Sequence, residues 1–205
     1  MKKINNVFFP VKETFYSIQG EGFFSGIAAY FIRFEGCNIQ CDWCDTKSSW
    51  KIEKKDFLTV HKIINNINEK VKTIVITGGE PMMWNLTPLT SLLKKKGYRI
   101  HVETSGSYPI HEKDIDWITI SPKKKKRPLK ENYKKMNELK IIICNESDFS
   151  FAEEQAFYVK KSNCVLYLQP EWKNNIKILP KIISYIKNHP KWKISLQIHK
   201  ILNIP

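Results

Sequence analysis

At 205 residues the chain has the length of one ordinary domain, and residues 1–205 are expected to form a single unit. Hydrophobic residues make up 42% and charged residues 26%, which excludes a disordered or collagen-like chain. The formal net charge of +14 raises an anionic partner, yet Arg33, Arg99 and Arg127 are the only arginines, and lysine lacks the bidentate guanidinium that base and phosphate readout favours.

No apolar run approaches the ~20 residues needed to span a bilayer, and lysines and asparagines from Met1 to Val7, followed by Pro10, Lys12 and Glu13, leave no signal-peptide core. A cytoplasmic protein with no membrane contact and no direct nucleic-acid contact is expected. Five cysteines in a reducing compartment point to metal or catalysis rather than disulfides.

In chain order, strands are expected at Ala29 to Phe34, Thr73 to Thr77, Arg99 to Glu103, Trp117 to Ile120, Leu139 to Ile143, Val165 to Leu168 and Ile194 to Ile198. Several are nearly all apolar, as strands covered on both faces are. Helical spacing falls between them: Phe57 to Asn68, Leu86 to Lys96 with Gly97 beyond it, Phe151 to Lys161, and Ile178 to Asn188 before Pro190. Thr104 to Asp116 and Ser121 to Glu138 carry no clear helix. Alternating strands and helices predict an α/β fold with parallel strands. A complete eight-unit barrel takes about 250 residues, so the expected architecture is a shortened, open TIM-type β/α barrel.

The strongest local signal is Cys37-Asn-Ile-Gln-Cys41-Asp-Trp-Cys44, directly after the first expected strand. A structural zinc site completes four protein ligands, and nothing adjacent supplies the fourth, since His61 lies well into the next helix. Cys144 and Cys164 sit at the edges of apolar strands and read as small buried hydrophobes. A [4Fe–4S] cluster held by three cysteines leaves one iron open to a small molecule. The second signal is Thr77-Gly78-Gly79-Glu80-Pro81, where two glycines let the backbone approach a ligand closely at a strand's carboxyl end, where α/β ligand sites form. By itself it is a tight turn into a helix.

The triplet followed by Gly-Gly-Glu-Pro resembles the radical S-adenosylmethionine enzymes. That resemblance implies a [4Fe–4S] cluster on Cys37, Cys41 and Cys44, with S-adenosyl-L-methionine chelating the open iron and yielding a 5′-deoxyadenosyl radical. "SIQGEG" at Ser17 to Gly22, Arg33, "CNIQCDWCDT", "ETSG" at Glu103 to Gly106, "SPK" at Ser121 to Lys123, "LQPEW" at Leu168 to Trp172 and "LQIHK" at Leu196 to Lys200 narrow the resemblance. Over Phe15 to Pro205 the chain is similar to the 7-carboxy-7-deazaguanine synthase family of queuosine and 7-deazapurine biosynthesis.

This implies ring contraction of 6-carboxy-5,6,7,8-tetrahydropterin to 7-carboxy-7-deazaguanine with loss of ammonia, hydrogen being removed from C6 and S-adenosylmethionine regenerated. It implies Mg2+ on Thr46, a hard hydroxyl ligand, and a homodimer; the charge of the chain adds an acidic electron donor such as flavodoxin as an expected partner. Trp43, Cys44, Asp45, Gly79, Ser105, Ser121, Pro122, Lys123, Gln169, Pro170, Glu171 and Trp172 fall at the cofactor; Ile18, Gln19, Gly20, Glu21, Arg33, Thr77, His199 and the carboxylate of Pro205 fall at the substrate. Another radical enzyme with this cluster, such as an activase, and a zinc-stabilised basic nucleic-acid module are the competing readings.

Two features bear on charge. Arg33 stands in an apolar strand, where a guanidinium is costly unless paired. It takes either a substrate carboxylate, bidentately, or a salt bridge to Glu35 or Glu21 or an outward-facing edge position. Ser121 to Lys140 holds nine basic residues against Glu131 and Glu138, a net +7. Read as a loop, this run is either solvated lysine or a field that draws in carboxylates or an acidic reductase.

Overall fold

The computed structural model describes residues 7–67, 70–111, 113–160 and 162–205. The expected α/β fold is present as one nine-stranded sheet: β1 (Phe8–Ile18), β2 (Ala28–Phe34), β3 (Phe57–Thr59), β4 (Thr73–Gly78), β5 (Arg99–Thr104), β6 (Trp117–Ile120), β7 (Glu138–Ile143), β8 (Val165–Pro170) and β9 (Trp192–Ile194). Their spatial order is β3-β1-β2-β4-β5-β6-β7-β8-β9. From β2 to β9 every pairing is parallel, whereas β1 runs antiparallel to both β2 and β3. The sheet is therefore mostly parallel and open, as a shortened barrel requires.

Helices α1 (Val60–Asn65), α2 (Thr87–Lys95), α3 (Ser147–Phe157) and α4 (Asn175–Asn188) accompany the sheet, and α5 (Ile198–Leu202) is a short turn near Pro205. The core comes from the strands' inner residues, including Ile32, Phe34, Ile74, Ile76, Ile100, Ile120, Leu139, Ile141 and Leu168, against Ile63, Leu89, Leu93, Ala152 and Ile182 of the helices. These residues alternate with Arg33, Thr77, Glu103, Lys140 and Gln169, which line a cavity on the sheet's other face, so helices cover one face and not the two that the apolar runs predict.

One strand was not expected, and three local expectations are corrected. Strand β1 runs through Ile18, and the turn begins at Gln19. Pro10 and the Lys12-Glu13 pair obscured this strand, but Pro10 supplies a carbonyl to the Glu35 N–H at 2.9 Å. Lys12 and Glu13 take Glu35 and Arg33 as ion partners. Phe57 to Thr59 is strand rather than helix, because it pairs with Phe8 to Pro10; α1 then starts where the Thr59 hydroxyl accepts the Lys62 N–H. The expected end of that helix, Asn68, lies outside the described residues.

The helix placed at Phe151 to Lys161 begins a turn earlier. Asn145 accepts the Ser147 N–H, and Asp148 accepts those of Cys144 and Asn145; α3 ends at Phe157, and Lys161 lies outside the described residues. Finally, the strand expected at Ile194 to Ile198 is Trp192–Ile194. Ser195 makes the last ladder-like bond to Leu168 at 2.9 Å, the chain turns at Gln197, and Ile198 and His199 belong to α5, not to a strand.

Candidate active site

The carboxyl ends of β2, β4, β5, β6, β7 and β8 open onto one cavity of about 380 Å³, within the range of small-molecule sites. One wall is the loop after β2. Gly36 donates to Ser49 at 2.9 Å and Cys37 to Trp50 at 3.1 Å, closing the loop at its base; Cys44 donates to Cys41 at 3.1 Å, and Gln40 between the first two cysteines takes a left-handed φ of 50°. Cys37, Cys41 and Cys44 are partly exposed and all line the cavity. Burial raises the Cys41 thiol above its usual range, with Lys123 acting against it.

The Gly78-Gly79 pair does not chiefly make room for a ligand. Gly79 donates to the Phe34 carbonyl at 2.9 Å and Glu80 to the Gly36 carbonyl at 2.8 Å, so the turn after β4 lies backbone to backbone on the cysteine loop. A Cβ on Gly78 would fall 2.3 Å from Phe34 N and O, and one on Gly79 2.3 Å from the Gly36 carbonyl. Glycine here fixes the seat of the cysteine loop. Thr77 and Gly79 also reach the cavity.

The turns after β1 and after β9 form the opposite wall. Gln19 donates to Glu103 at 3.0 Å, and Thr77 to the other Glu103 oxygen at 3.4 Å. Gly20 lies against His199: a Cβ there would sit 2.3 Å from His199 Nδ1, and the Gly20 carbonyl accepts the Ile198 N–H at 3.0 Å. Ser17 donates to the Pro205 carbonyl at 2.8 Å. Ile18, Gln19, Gly20, Glu21, Arg33, Thr77, His199 and Pro205 thus share the cavity. Burial lowers the His199 imidazole below its ordinary value, which favours the neutral ring.

Arg33 pairs with neither Glu35 nor Glu21. Its Nε donates to Glu13 at 2.7 Å while the guanidinium stands 5.4 Å over the Phe15 ring. Glu35 is fully buried, takes Lys12 at 3.1 Å and accepts the Glu53 N–H at 3.0 Å, supporting the loop from behind.

Trp43, Asp45, Thr46, Ser121, Lys123, Gln169, Pro170, Glu171 and Trp172 complete the rim; Pro122 is buried between its neighbours and does not line the cavity. Lys123 donates to Ser121 at 2.6 Å and stands 4.9 Å over the Trp43 ring. The Thr46 hydroxyl lies 3.6 Å from the Cys44 sulfur. Ser105 lines the cavity, yet its N–H and hydroxyl both go to Glu80.

Sequence reasoning missed several groups. Glu80 is 1% exposed and collects Met82 N, Ser105 N and the hydroxyls of Thr104 and Ser105. Lys140 is buried on β7 and ion-paired to Glu21. Burial opposes its charge, but Glu103, Glu21 and Glu138 together raise its pKa well above the usual lysine value. Burial alone would raise Glu21; Lys140 and Gln197 outweigh it and hold the carboxyl low. The signal was present, since Glu103 and Lys140 are charges inside apolar strands, as Arg33 is. Gln197 and Lys200, from the last segment, had no such signal.

The basic run from Ser121 to Lys140 is not one solvated loop. Lys124 pairs with Asp148, Lys125 with Asp42 and Arg127 with Glu154, Lys126 lies 3.9 Å over Tyr108, and Lys140 is inside the cavity wall. No helix among the described residues is long and apolar enough to cross a membrane.

The chemistry of the donor set fits an iron–sulfur centre: three thiols on one closed loop face a ligand-sized space, and the Asp45 carboxylate of that loop is taken by Gln197 and Lys200. Among the described residues no compact group of three His, Cys, Asp or Glu surrounds a single point. A mostly parallel open sheet with such a loop after its first parallel strand defines a radical S-adenosylmethionine enzyme, and the Radical SAM superfamily model matches residues 31–140. Membership implies a [4Fe–4S] cluster and S-adenosylmethionine.

The chain is 50% identical over 196 residues to a 7-carboxy-7-deazaguanine synthase of Flavobacterium psychrophilum, covering 96% of this chain and 92% of that one. It is 42% identical over 205 residues to one of Synechocystis, covering 100% and 97%. A crystal structure of QueE from Escherichia coli superposes with a TM-score of 0.82 at 28% identity, covering 96% of each chain. The chain belongs to the 7-carboxy-7-deazaguanine synthase family.

Proposed function

We infer that the substrate is 6-carboxy-5,6,7,8-tetrahydropterin, contracted to 7-carboxy-7-deazaguanine with loss of ammonia in the route to queuosine or another 7-deazapurine. The observation that carries this reading is that the three cysteines and the Gln19, Arg33 and Glu103 side chains line one cavity of about 380 Å³. Cys37, Cys41 and Cys44 would hold the cluster, with Trp43, Asp45, Gly79, Ser121, Lys123, Gln169, Pro170, Glu171 and Trp172 around S-adenosylmethionine. Bound there, the pair supplies one-electron chemistry that generates a hydrogen-abstracting radical.

The remaining work falls to the chain. Glu13 is 53% exposed, so its bond to Arg33 is worth little in water, and a substrate carboxylate enclosed by Phe15 and Phe31 takes the guanidinium with a stronger charge-assisted pair. Gln19 and Glu103 offer an amide and a carboxylate to the N–H and C=O edge of a flat heterocycle. Ile39, Phe31 and Ile142 on the walls exclude water from a radical that must not be quenched.

Thr46 is the proposed Mg2+ ligand, substrate oxygens and water supplying the rest of the shell. A homodimer reduced by flavodoxin completes the reading. A reduction rate that falls with added salt supports docking on the lysines beside the cysteine loop; a salt-independent rate rejects it. The test of the activity is anaerobic incubation of reconstituted protein with reductant, S-adenosylmethionine, Mg2+ and the carboxypterin. Formation of the deazaguanine is expected, and its absence with an intact cluster rejects the assignment.

A further inference from the structure

The segment after β9 is tied down almost entirely by polar bonds. No residue of α5 is buried, and Ile201 and Leu202 are 65% and 53% exposed. Such a segment opens locally at low cost unless its few polar contacts hold. Beside the Ile198–Gly20 and Ser17–Pro205 bonds, those contacts centre on Gln197, which is 8% exposed. Its Nε2 donates to Glu21 at 2.8 Å and to Asp45 at 3.1 Å, and its Oε1 accepts Lys200 Nζ at 3.1 Å. Lys200 also donates to Asp45 at 2.7 Å and lies 5.2 Å over the Trp172 ring.

Glu21 belongs to the turn after β1, Asp45 to the cysteine loop and Lys200 to α5. One amide therefore uses both hydrogens to bridge the turn after β1 and the cysteine loop, which β2 separates in the chain, and its oxygen to hold Lys200 of its own segment. Both carboxylates reach the amide from walls of the cavity that carry different duties in the functional reading above, on which this inference rests.

We propose that Gln197 and Lys200 are positioning residues that couple the cysteine loop to the substrate loop, so that the wall closing over substrate is assembled only when the cysteine loop is in place. Asp45 is shared by both residues and Glu21 by Gln197 alone. Loss of the amide thus removes the side-chain bridge between the two loops, leaving Lys200 on Asp45 and the Ile198–Gly20 backbone bond, and loss of the ammonium removes one of the two links from Asp45 to this segment. A link of this kind makes the two ligands favour each other's binding through the order they both require.

Hydrogen exchange of the apo protein, followed segment by segment, tests this. Gln197→Leu is expected to raise exchange about tenfold at residues 19–22 and 44–46 as well as at 198–204, the loss of charge-assisted bonds setting the scale. Lys200→Met is expected to act at 44–46 and 198–204, and Lys200→Arg to restore the wild-type pattern. In reconstituted enzyme, Gln197→Leu should release several-fold more 5′-deoxyadenosine per product formed. Faster exchange confined to 198–204, or spread evenly over β4, β5 and β7, overturns the proposal: the first leaves the loops uncoupled already, the second is general loss of stability. Wild-type protein that makes no deazaguanine rejects the functional reading instead, and leaves the exchange result standing.

Discussion

The Glu80 carboxylate, on the turn after β4, accepts the Ser105 N–H from the turn after β5 at 2.8 Å. Through this bond, and through its own N–H on the Gly36 carbonyl at 2.8 Å, Glu80 ties the cysteine loop to two neighbouring strand ends. A fully buried carboxylate with four donors is costly to replace, because each donor is left unsatisfied. Glu80→Ala is expected to destabilise the apo protein by about 3–5 kcal/mol. Anaerobic urea unfolding measures this, and a loss below about 1 kcal/mol would show that the turn holds by other means.

Lys140 faces Glu21, Glu103 and Glu138. Its raised pKa means its contribution is complete below the unfolded lysine value near 10.5 and is lost only as pH rises through the higher folded one. Glu21, held low, contributes stability that is complete above 4.5 and lost as pH falls through its folded value. Burial raises Glu138, which works the other way. Lys140→Met leaves the carboxylates without their cation, at a cost of about 3–5 kcal/mol at neutral pH. The variant should regain stability between pH 7 and pH 5 as those carboxyls protonate, more steeply than the wild type, in which only the raised Glu138 works in that direction. Parallel pH profiles for the two proteins would contradict the charge arrangement.

Much of this arrangement was legible in the sequence, for physical reasons. Cys37, Cys41 and Cys44 lie close together in sequence and all line one cavity, and the apolar runs of β4 to β8 read directly as strands. Strand β1 was not legible, because its polar residues are satisfied by partners distant in sequence, Lys12 by Glu35 and Glu13 by Arg33. Alternating Ile194, Leu196 and Ile198 mimicked a strand, while the actual course is set by the Ile198–Gly20 bond. Gln197 and Lys200 are ordinary surface residue types, and only the tertiary placement of Asp45 gives them a role.

Arg33 is expected to act on substrate alone. Arg33→Lys should lower kcat/KM about a hundredfold, the scale of a lost bidentate pair, with iron content and S-adenosylmethionine binding as in wild type. Steady-state kinetics on protein of matched iron content decides. An unchanged kcat/KM would mean that Arg33 serves only Glu13 and Phe15.

The cysteines should divide sharply. Cys41→Ala is expected to abolish cluster assembly, leaving reconstituted protein without the broad absorbance near ~400 nm that thiolate-bound iron–sulfur clusters show. Cys144 does not line the main cavity, and burial pushes its thiol up to about 12, which makes it a poor metal ligand. Cys144→Ala should therefore assemble a full cluster. Colour retained in Cys41→Ala, or lost in Cys144→Ala, would relocate the centre.

The most direct measurement uses carboxypterin deuterated at C6 with reconstituted enzyme under reducing, anaerobic conditions. If cluster, cofactor and substrate share this one cavity and hydrogen moves as inferred, deazaguanine forms and deuterium appears in the recovered S-adenosylmethionine. Deazaguanine formed with no deuterium in the cofactor, or an intact cluster with no deazaguanine at all, would contradict the account.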